Sequence, residues 1–248
     1  MSALYLLRLL PDARGFMLAA ARRGFLPPGG DLGYALHAAL TALFGSEAPR
    51  PFAWRETGSQ VELLAYTSVP ERLKTLASLP QGVEMADFAA ALRPETLELR
   101  PLPETWPQAL RLGFTVRVRP VVRARPRGRQ GGHDEHDVYA HAKANGTLAD
   151  GETREDVYRR WLSHELARGD AADLEAATLL ARRSSRVLRR PGREGVRRSI
   201  LIEGPDVTFR GILRVRDGAA FSALLARGLG RHRAFGFGML LLAPPGRC

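Results

Sequence analysis

The sequence predicts an α+β fold in which the element order β-α-β-β-α-β occurs twice, once in each half of the 248-residue chain. Three observations predict it. Short apolar or alternating segments of strand length recur, two longer segments with helical spacing interrupt them in each half, and a short link near residues 103–111 separates the two series. This order is typical of the ferredoxin-like, or RRM-like, domain. We therefore expect two tandem domains, at residues 1–102 and 112–248.

The first half contains one complete series of these elements. They are a buried strand at Ala3–Leu10, a helix from Asp31 to about Phe44, a hairpin over residues 51–68, a helix at Glu71–Leu79 and a strand at Thr96–Leu102. Asp31 is a residue type that caps helices, and Gly45 lies where helices commonly end. The hairpin is expected to turn at Gly58 and Ser59.

The second half repeats the order. Its elements are an alternating strand at Phe114–Arg123, a helix at Thr153–Ala167, a hairpin of Ser199–Ile202 and Val207–Val215, a helix at Ala219–Arg227 and a last strand at Phe235–Ala243. Thr153 and Asp156 have the spacing of a capping box. Pro120 lies inside the alternating strand, which implies an edge strand or a bulge.

Two insertions are expected in the second half, at residues 125–151 and 171–198. The first is a loop with a short ordered piece around Val138–Ala142. The second predicts a helix on which most of five arginines share a face: Arg182, Arg183, Arg186, Arg189 and Arg190. These cations have no interleaved acids and would repel each other without an anion, so we expect this arginine-rich helical insertion to bind RNA. A solvated helix face is the alternative.

The composition favours a polyanionic partner. The net charge is +11, the pI is about 10.9 and the hydrophobic content is 45%, as in a folded basic protein. Lys74 and Lys143 are the only lysines, so arginine carries the charge, although a GC-rich genome could also cause this bias. The sequence has no apolar run of membrane-spanning length and one cysteine, Cys248. We expect no membrane contact and a cytoplasmic location.

The densest glycine cluster is GLGRHRAFGFG, residues 228–238. It combines four glycines with three cationic or titratable residues: Gly228, Gly230, Gly236, Gly238, Arg231, His232 and Arg233. Glycine permits close approach of the backbone and arginine binds phosphate, so we expect these seven residues to bind RNA. A dinucleotide-binding fingerprint is excluded because its third glycine is Arg233 here and because the loop precedes a strand. Tight packing of the last strand is the alternative role for these glycines.

The loop and one helix carry a resemblance to a known family. The pattern G-x-G-R-x-[KR]-A-F-G-F-G-x-L-x-L, together with the doubled β-α-β-β-α-β order, resembles the CRISPR-associated endoribonucleases of the RAMP superfamily, in particular the type I-E subfamily or its type IV relatives. Tyr34 and His37 match a tyrosine and a histidine three residues apart on the first helix of that subfamily. A helical wheel turns this pair roughly 100° from the apolar stripe of the helix, toward a cleft. A surface pair is the alternative.

The resemblance implies an endoribonuclease without metal or cofactor that cleaves CRISPR repeat RNA at a hairpin. Its products would carry a 2′,3′-cyclic phosphate and a 5′-hydroxyl, and it would keep its product crRNA within a complex of other CRISPR subunits. His37 would act as acid or base and Tyr34 would position a group or share the proton. Arg23 is a candidate for stabilising phosphate in catalysis and Arg22 for binding RNA, and solvation of both is the alternative.

Two other functions and a metal site are the alternatives. A non-catalytic RNA-binding subunit of the same kind of complex is the main alternative, and the Tyr34/His37 pair argues against it. A DNA-binding protein is less favoured because no helix-turn-helix or zinc pattern is present. The segment HDEHDVYAH contains His133, His136 and His141, but its spacing is poor for a metal and no cysteine joins it. We expect a solvated loop there and no metal site.

Overall fold

Two four-stranded antiparallel sheets, one in each half, form the framework of the computed structural model. The structure describes residues 3–27, 29, 31–58, 60–80, 82, 85–124, 134–189 and 200–246. Within these ranges, no helix is both long and apolar enough to cross a membrane.

The first sheet has the spatial order β2-β3-β1-β4. Its strands β1 to β4 are Tyr5–Leu9, Phe52–Thr57, Gln60–Thr67 and Glu98–Pro101. Helices α1 to α4 are Ala13–Arg22, Gly33–Phe44, Pro70–Ser78 and Ala86–Ala90. The predicted apolar stripe of α2 is fully buried in the core of this half: Leu36, Leu40, Leu43 and Phe44.

The second sheet has the equivalent order, β10-β5-β9-β8. Its strands β5, β8, β9 and β10 are Arg111–Val118, Ala172–Arg189, Ile200–Val215 and Leu241–Ala243. A small additional sheet pairs β6, Val121–Ala124, with β7, Asp134–Asp137. Helices α5 to α7 are Val138–Ala144, Arg154–Ala167 and Gly218–Arg227. The predicted α+β class with two ferredoxin-like units is therefore confirmed.

The predicted arginine-rich helix is wrong. Residues 172–189 form the long strand β8, which pairs with β9 and places Arg183 opposite Asp206 and Arg186 opposite Glu203. The predicted hairpin of Ser199–Ile202 and Val207–Val215 is wrong for the same reason, because residues 200–215 form one continuous strand. Pairing between distant segments overrides the local helical spacing. Arg190 lies outside the described residues, as does the side chain of Arg189.

Three further features of the fold differ from the prediction. Helix α1 was not expected, although the Asp12 side chain caps it by accepting a hydrogen bond from the Gly15 N–H. The alternating segment breaks before Pro120 and continues as β6. The last strand begins at Leu241 and not at Phe235, because Gly236 and Gly238 hold the backbone at positive φ, which a strand excludes.

The two halves share buried contacts. Tyr66 of the first sheet lies in the same hydrophobic cluster as residues of the second half. Its hydroxyl donates a hydrogen bond of 2.7 Å to the Leu240 carbonyl oxygen. Arg117 of β5 donates to Asp31, just before α2, at 2.7 Å and to Asp206 of β9 at 2.6 Å. These contacts fix α2 against the second sheet.

Candidate active site

Helix α2 positions Tyr34 and His37. Its buried stripe faces the core, which leaves both side chains half-buried on another side of the helix. The Tyr34 ring meets the Phe25 ring edge-on, with 5.1 Å between centroids. Asp31 accepts a hydrogen bond of 2.9 Å from the Gly33 N–H, but the N-cap of the helix is Leu32 and not Asp31 as expected.

The glycine-rich loop lies directly against α2. A short 3-10 turn, Arg233–Phe235, brings the Phe235 ring edge-on to the His37 ring, with 5.4 Å between centroids. A side chain at Gly33 would place its Cβ 2.4 Å from the Phe235 carbonyl oxygen, so the start of α2 and the loop are in contact. The structure thus brings together two segments that are distant in the sequence.

His37 opens onto a large cleft with an excess of positive charge, which we call the basic cleft. Its volume is about 1140 Å³. Its charged and titratable lining residues are His37, Arg50, Arg123, Glu135, Glu165, Arg168, Arg227, Arg231, His232 and Arg233. Six arginines against two glutamates make this surface attractive to a polyanion such as RNA.

The surroundings of His37 keep its imidazole neutral near pH 7. Burial lowers the pKa of His37 below the usual 6.5, and the positive charge of Arg50 lowers it further. A neutral imidazole has a free lone pair and can accept a proton, which is the requirement for a general base.

Glu135 of β7 holds the loop from the other side of the basic cleft. It accepts hydrogen bonds from Arg231 Nε at 2.5 Å and pairs with His232 Nε2 at 2.6 Å. Burial alone would raise the pKa of Glu135, but hydrogen bonds and charges of His232 and Arg231 lower it to about 2. The His232 side chain is only 6% exposed. Its predicted contact with RNA therefore stays a prediction, and its observed contact is with Glu135.

The glycines of the loop have packing roles. All four are at positive φ, and Gly228, Gly236 and Gly238 are buried. A Cβ at Gly238 would lie 2.2 Å from the Leu229 carbonyl oxygen, and one at Gly230 would lie 2.9 Å from the Trp161 ring. The alternative that these glycines serve the packing of the chain is thus supported, and direct contact with RNA stays a prediction.

Arg22 and Arg23 lie away from the basic cleft. Arg23 forms an ion pair with Asp87, with Nη1 to Oδ2 at 3.1 Å, and its guanidinium lies over the Phe88 ring. Arg22 lines a separate groove with Asp87. The structure does not place either arginine with His37 in that cleft, and their proposed roles stay untested predictions.

The described arginines of β8 do not line the basic cleft, and two of them lie beside acidic residues. Arg183 Nε donates to Asp206 at 2.8 Å and Arg186 Nε donates to Glu203 at 3.0 Å. Acidic partners thus come from the neighbouring strand, which local sequence spacing could not show. Arg182 is exposed. Binding of RNA by these residues stays a prediction.

Described side chains of the HDEHDVYAH segment form hydrogen bonds and ion pairs within the protein. Asp137 caps α5 and accepts hydrogen bonds from Arg154 and the Tyr158 hydroxyl, both at 2.6 Å. Within the described ranges, no three His, Cys, Asp or Glu side chains are grouped as a metal site requires. His133 lies outside these ranges. The ion pairs of Glu135 with Arg231 and His232 and the position of Arg50 at the cleft could not be predicted from the sequence, because they depend on contacts between distant segments.

The fold and the site together define a double ferredoxin-like protein with a histidine beside a glycine-rich loop at a basic cleft. A family model described as "CRISPR associated protein" matches residues 4–244. The chain therefore belongs to this CRISPR-associated family. A comparison with curated protein sequences found no significant match.

Solved structures with the same fold include three that illustrate the family. Cse3 from Thermus thermophilus, bound to an RNA representing a pre-cleavage complex, has 20% identity and a TM-score of 0.59, covering 98% of this chain and 100% of its own. Cas6e from Escherichia coli str. K-12 has 20% identity and a TM-score of 0.54, with 97% and 99% coverage. A chain of a CRISPR RNA-guided surveillance complex, pre-nicking, has 20% identity and a TM-score of 0.53, with 97% and 99% coverage. At this identity the likeness shows a shared fold.

Proposed function

We propose that this protein is an endoribonuclease that cleaves CRISPR repeat RNA at a hairpin and remains bound to the product crRNA in the cytoplasm. The observation that carries the proposal is the position of a neutral His37 at the basic cleft, in contact with the glycine-rich loop. Family membership and the RNA-bound endoribonucleases of the same fold support it.

Cleavage would proceed by transfer of the phosphoryl group to the neighbouring 2′-oxygen. His37 takes the proton of the 2′-hydroxyl, whose oxygen attacks the scissile phosphorus and displaces the 5′-oxygen of the next nucleotide. The leaving 5′-oxygen takes up a proton, and we assign its donation to the Tyr34 hydroxyl, which lines a second groove along α2 together with His37. Arg233 stabilises the added negative charge of the phosphorane. The products are a 2′,3′-cyclic phosphate and a 5′-hydroxyl.

This mechanism is tested with repeat RNA from the genome that encodes the protein. We expect the purified protein to cleave it in excess EDTA, because the proposed steps use only the RNA and protein side chains. A single 2′-deoxy substitution at the cut site removes the nucleophile and should abolish cleavage. Activity that disappears in EDTA and returns with a divalent ion would contradict the mechanism. It would support a metal site at residues 133–141 instead.

A non-catalytic crRNA-binding subunit is the second candidate function. The similarity to a chain of a surveillance complex favours it, and other subunits of such a complex are proposed partners under either function. The same experiment separates the two functions. Binding of repeat RNA without cleavage would support the second candidate, because a non-catalytic subunit holds the RNA but does not cut it.

A further inference from the structure

Arg50 is a cation at the candidate site that no sequence motif indicated. It follows α2 and a short 3-10 turn at Gly45–Glu47, and it precedes β2. It is exposed and lines the basic cleft together with His37 and Arg233. Arg50 thus reaches the cleft from the segment after α2, whereas Arg233 lies on the glycine-rich loop.

The positive charges at this end of the basic cleft are only partly balanced by acids, since Glu165 acts on Arg233 without forming an ion pair with it. Glu135 pairs with Arg231 and His232, and Glu165 pairs with Arg168 at 3.2 Å. Arg233 donates to the Arg227 carbonyl oxygen at 2.8 Å. Among the residues that the structure describes, neither Arg50 nor Arg233 forms an ion pair. Two unpaired guanidinium groups beside a histidine make an arrangement that an anion would stabilise.

The positive charge of Arg50 acts on both of these neighbours in the cleft. After burial, Arg50 is the remaining cause that lowers the pKa of His37. Burial also lowers the pKa of Arg233, followed by the positive charges of Arg227 and Arg50. The charge of Arg50 therefore acts on the base and on the second cation together.

We propose that Arg50 is a further catalytic residue, whose guanidinium binds the non-bridging oxygens of the scissile phosphate together with Arg233. The inference rests on the proposed function. A guanidinium presents two parallel N–H donors that match two phosphate oxygens, and its charge stabilises the phosphorane more than the substrate. In the same position its positive charge adds to the effect of burial on His37.

The first experiment separates catalysis from binding. In single-turnover cleavage of repeat RNA, Arg50→Ala should slow the reaction by about 10²–10³-fold, whereas RNA affinity should change by less than about threefold. Arg50→Lys should restore part of the rate because it returns the charge without the paired donors. Arg100→Ala is the matched control for loss of one charge, since Arg100 lies on β4, is largely exposed and pairs with Glu98 at 3.0 Å.

The second experiment needs no RNA. The pKa of His37, measured by NMR titration and assigned with His37→Ala, should rise in Arg50→Ala and stay unchanged in Arg100→Ala. An unchanged His37 titration, or a normal cleavage rate in Arg50→Ala, would overturn the inference while leaving the proposed function intact. A wild-type protein that binds but does not cut would instead overturn the proposed function and with it the catalytic role of Arg50.

Discussion

At the scale of single residues, the surroundings of His37 determine its chemistry. The position of His37 on the same side of the helix as Tyr34 could be predicted from the sequence, because residues three apart share a side of a helix. Its protonation state could not, because it depends on burial and on Arg50. Phe235, which contacts the His37 ring, is distant in sequence and comes close only through folding.

The direction of the His37 pKa shift gives a prediction for the pH dependence of cleavage. A base with a lowered pKa is already neutral at pH 7, so kcat/KM should be flat around neutrality and fall only below pH 6.5, the usual pKa of histidine. Single-turnover rates at subsaturating protein concentration, measured from pH 5 to pH 8, check this. The residual activity of His37→Ala should lack this acid-side fall. A wild-type rate that increases as pH decreases would instead indicate that His37 acts as an acid.

At the scale of elements, the glycine-rich loop is held in place by its own backbone geometry and by Glu135. Gly238 packs against the backbone of Leu229, and Glu135 binds Arg231 and His232. These contacts position the 3-10 turn that carries Arg233 and Phe235, and the Phe235 ring lies against the His37 ring. The glycine-rich loop therefore supports the candidate site through its packing.

Replacement of Gly238 tests this support. Both Gly238 and Gly146 are at positive φ, but a Cβ at Gly146 meets no atom within 4 Å, whereas one at Gly238 meets a carbonyl oxygen at 2.2 Å. Gly146→Ala should therefore cost about 1–2 kcal/mol of unfolding free energy for the backbone conformation alone. Gly238→Ala should cost roughly 2 kcal/mol more through the clash.

Urea unfolding and single-turnover cleavage of both variants give the measurement. We expect cleavage to be reduced only in Gly238→Ala when both proteins are folded. Equal losses of stability in the two variants would show that the close packing around Gly238 does not stabilise the loop.

Strand β8 shows where prediction of an element from sequence fails. Its arginines and leucines have spacings that fit a helix, and its acidic partners, Asp206 and Glu203, lie on β9. Only the pairing of two long strands reveals that these cations are partly neutralised within the protein. Helix α6 was predicted correctly because its capping box and apolar spacing are local features.

At the scale of the whole molecule, the order of elements was predictable and the contact between the halves was not. Strand and helix periodicity predicted both ferredoxin-like series, but the hairpin of the second series was misplaced because β8 was predicted as a helix. The hydrogen bond from Tyr66 to Leu240 and the ion pair of Asp31 with Arg117 join distant segments and have no local signal in the sequence. Domain limits at residues 1–102 and 112–248 stay a prediction, since Tyr66 packs in the core of the second half. The candidate site lies at this junction and requires both halves.

The most direct test of the account is the single-turnover cleavage of repeat RNA by His37→Ala in EDTA, with RNA affinity measured in parallel. His164→Ala is the matched control, since His164 is exposed on α6. We expect His37→Ala to slow cleavage by about 10²–10⁴-fold, the usual contribution of general acid–base catalysis, with affinity almost unchanged, and His164→Ala to cleave normally. Cleavage by His37→Ala at the wild-type rate would contradict the central claim that the junction of the two chain ends forms an active site around this histidine.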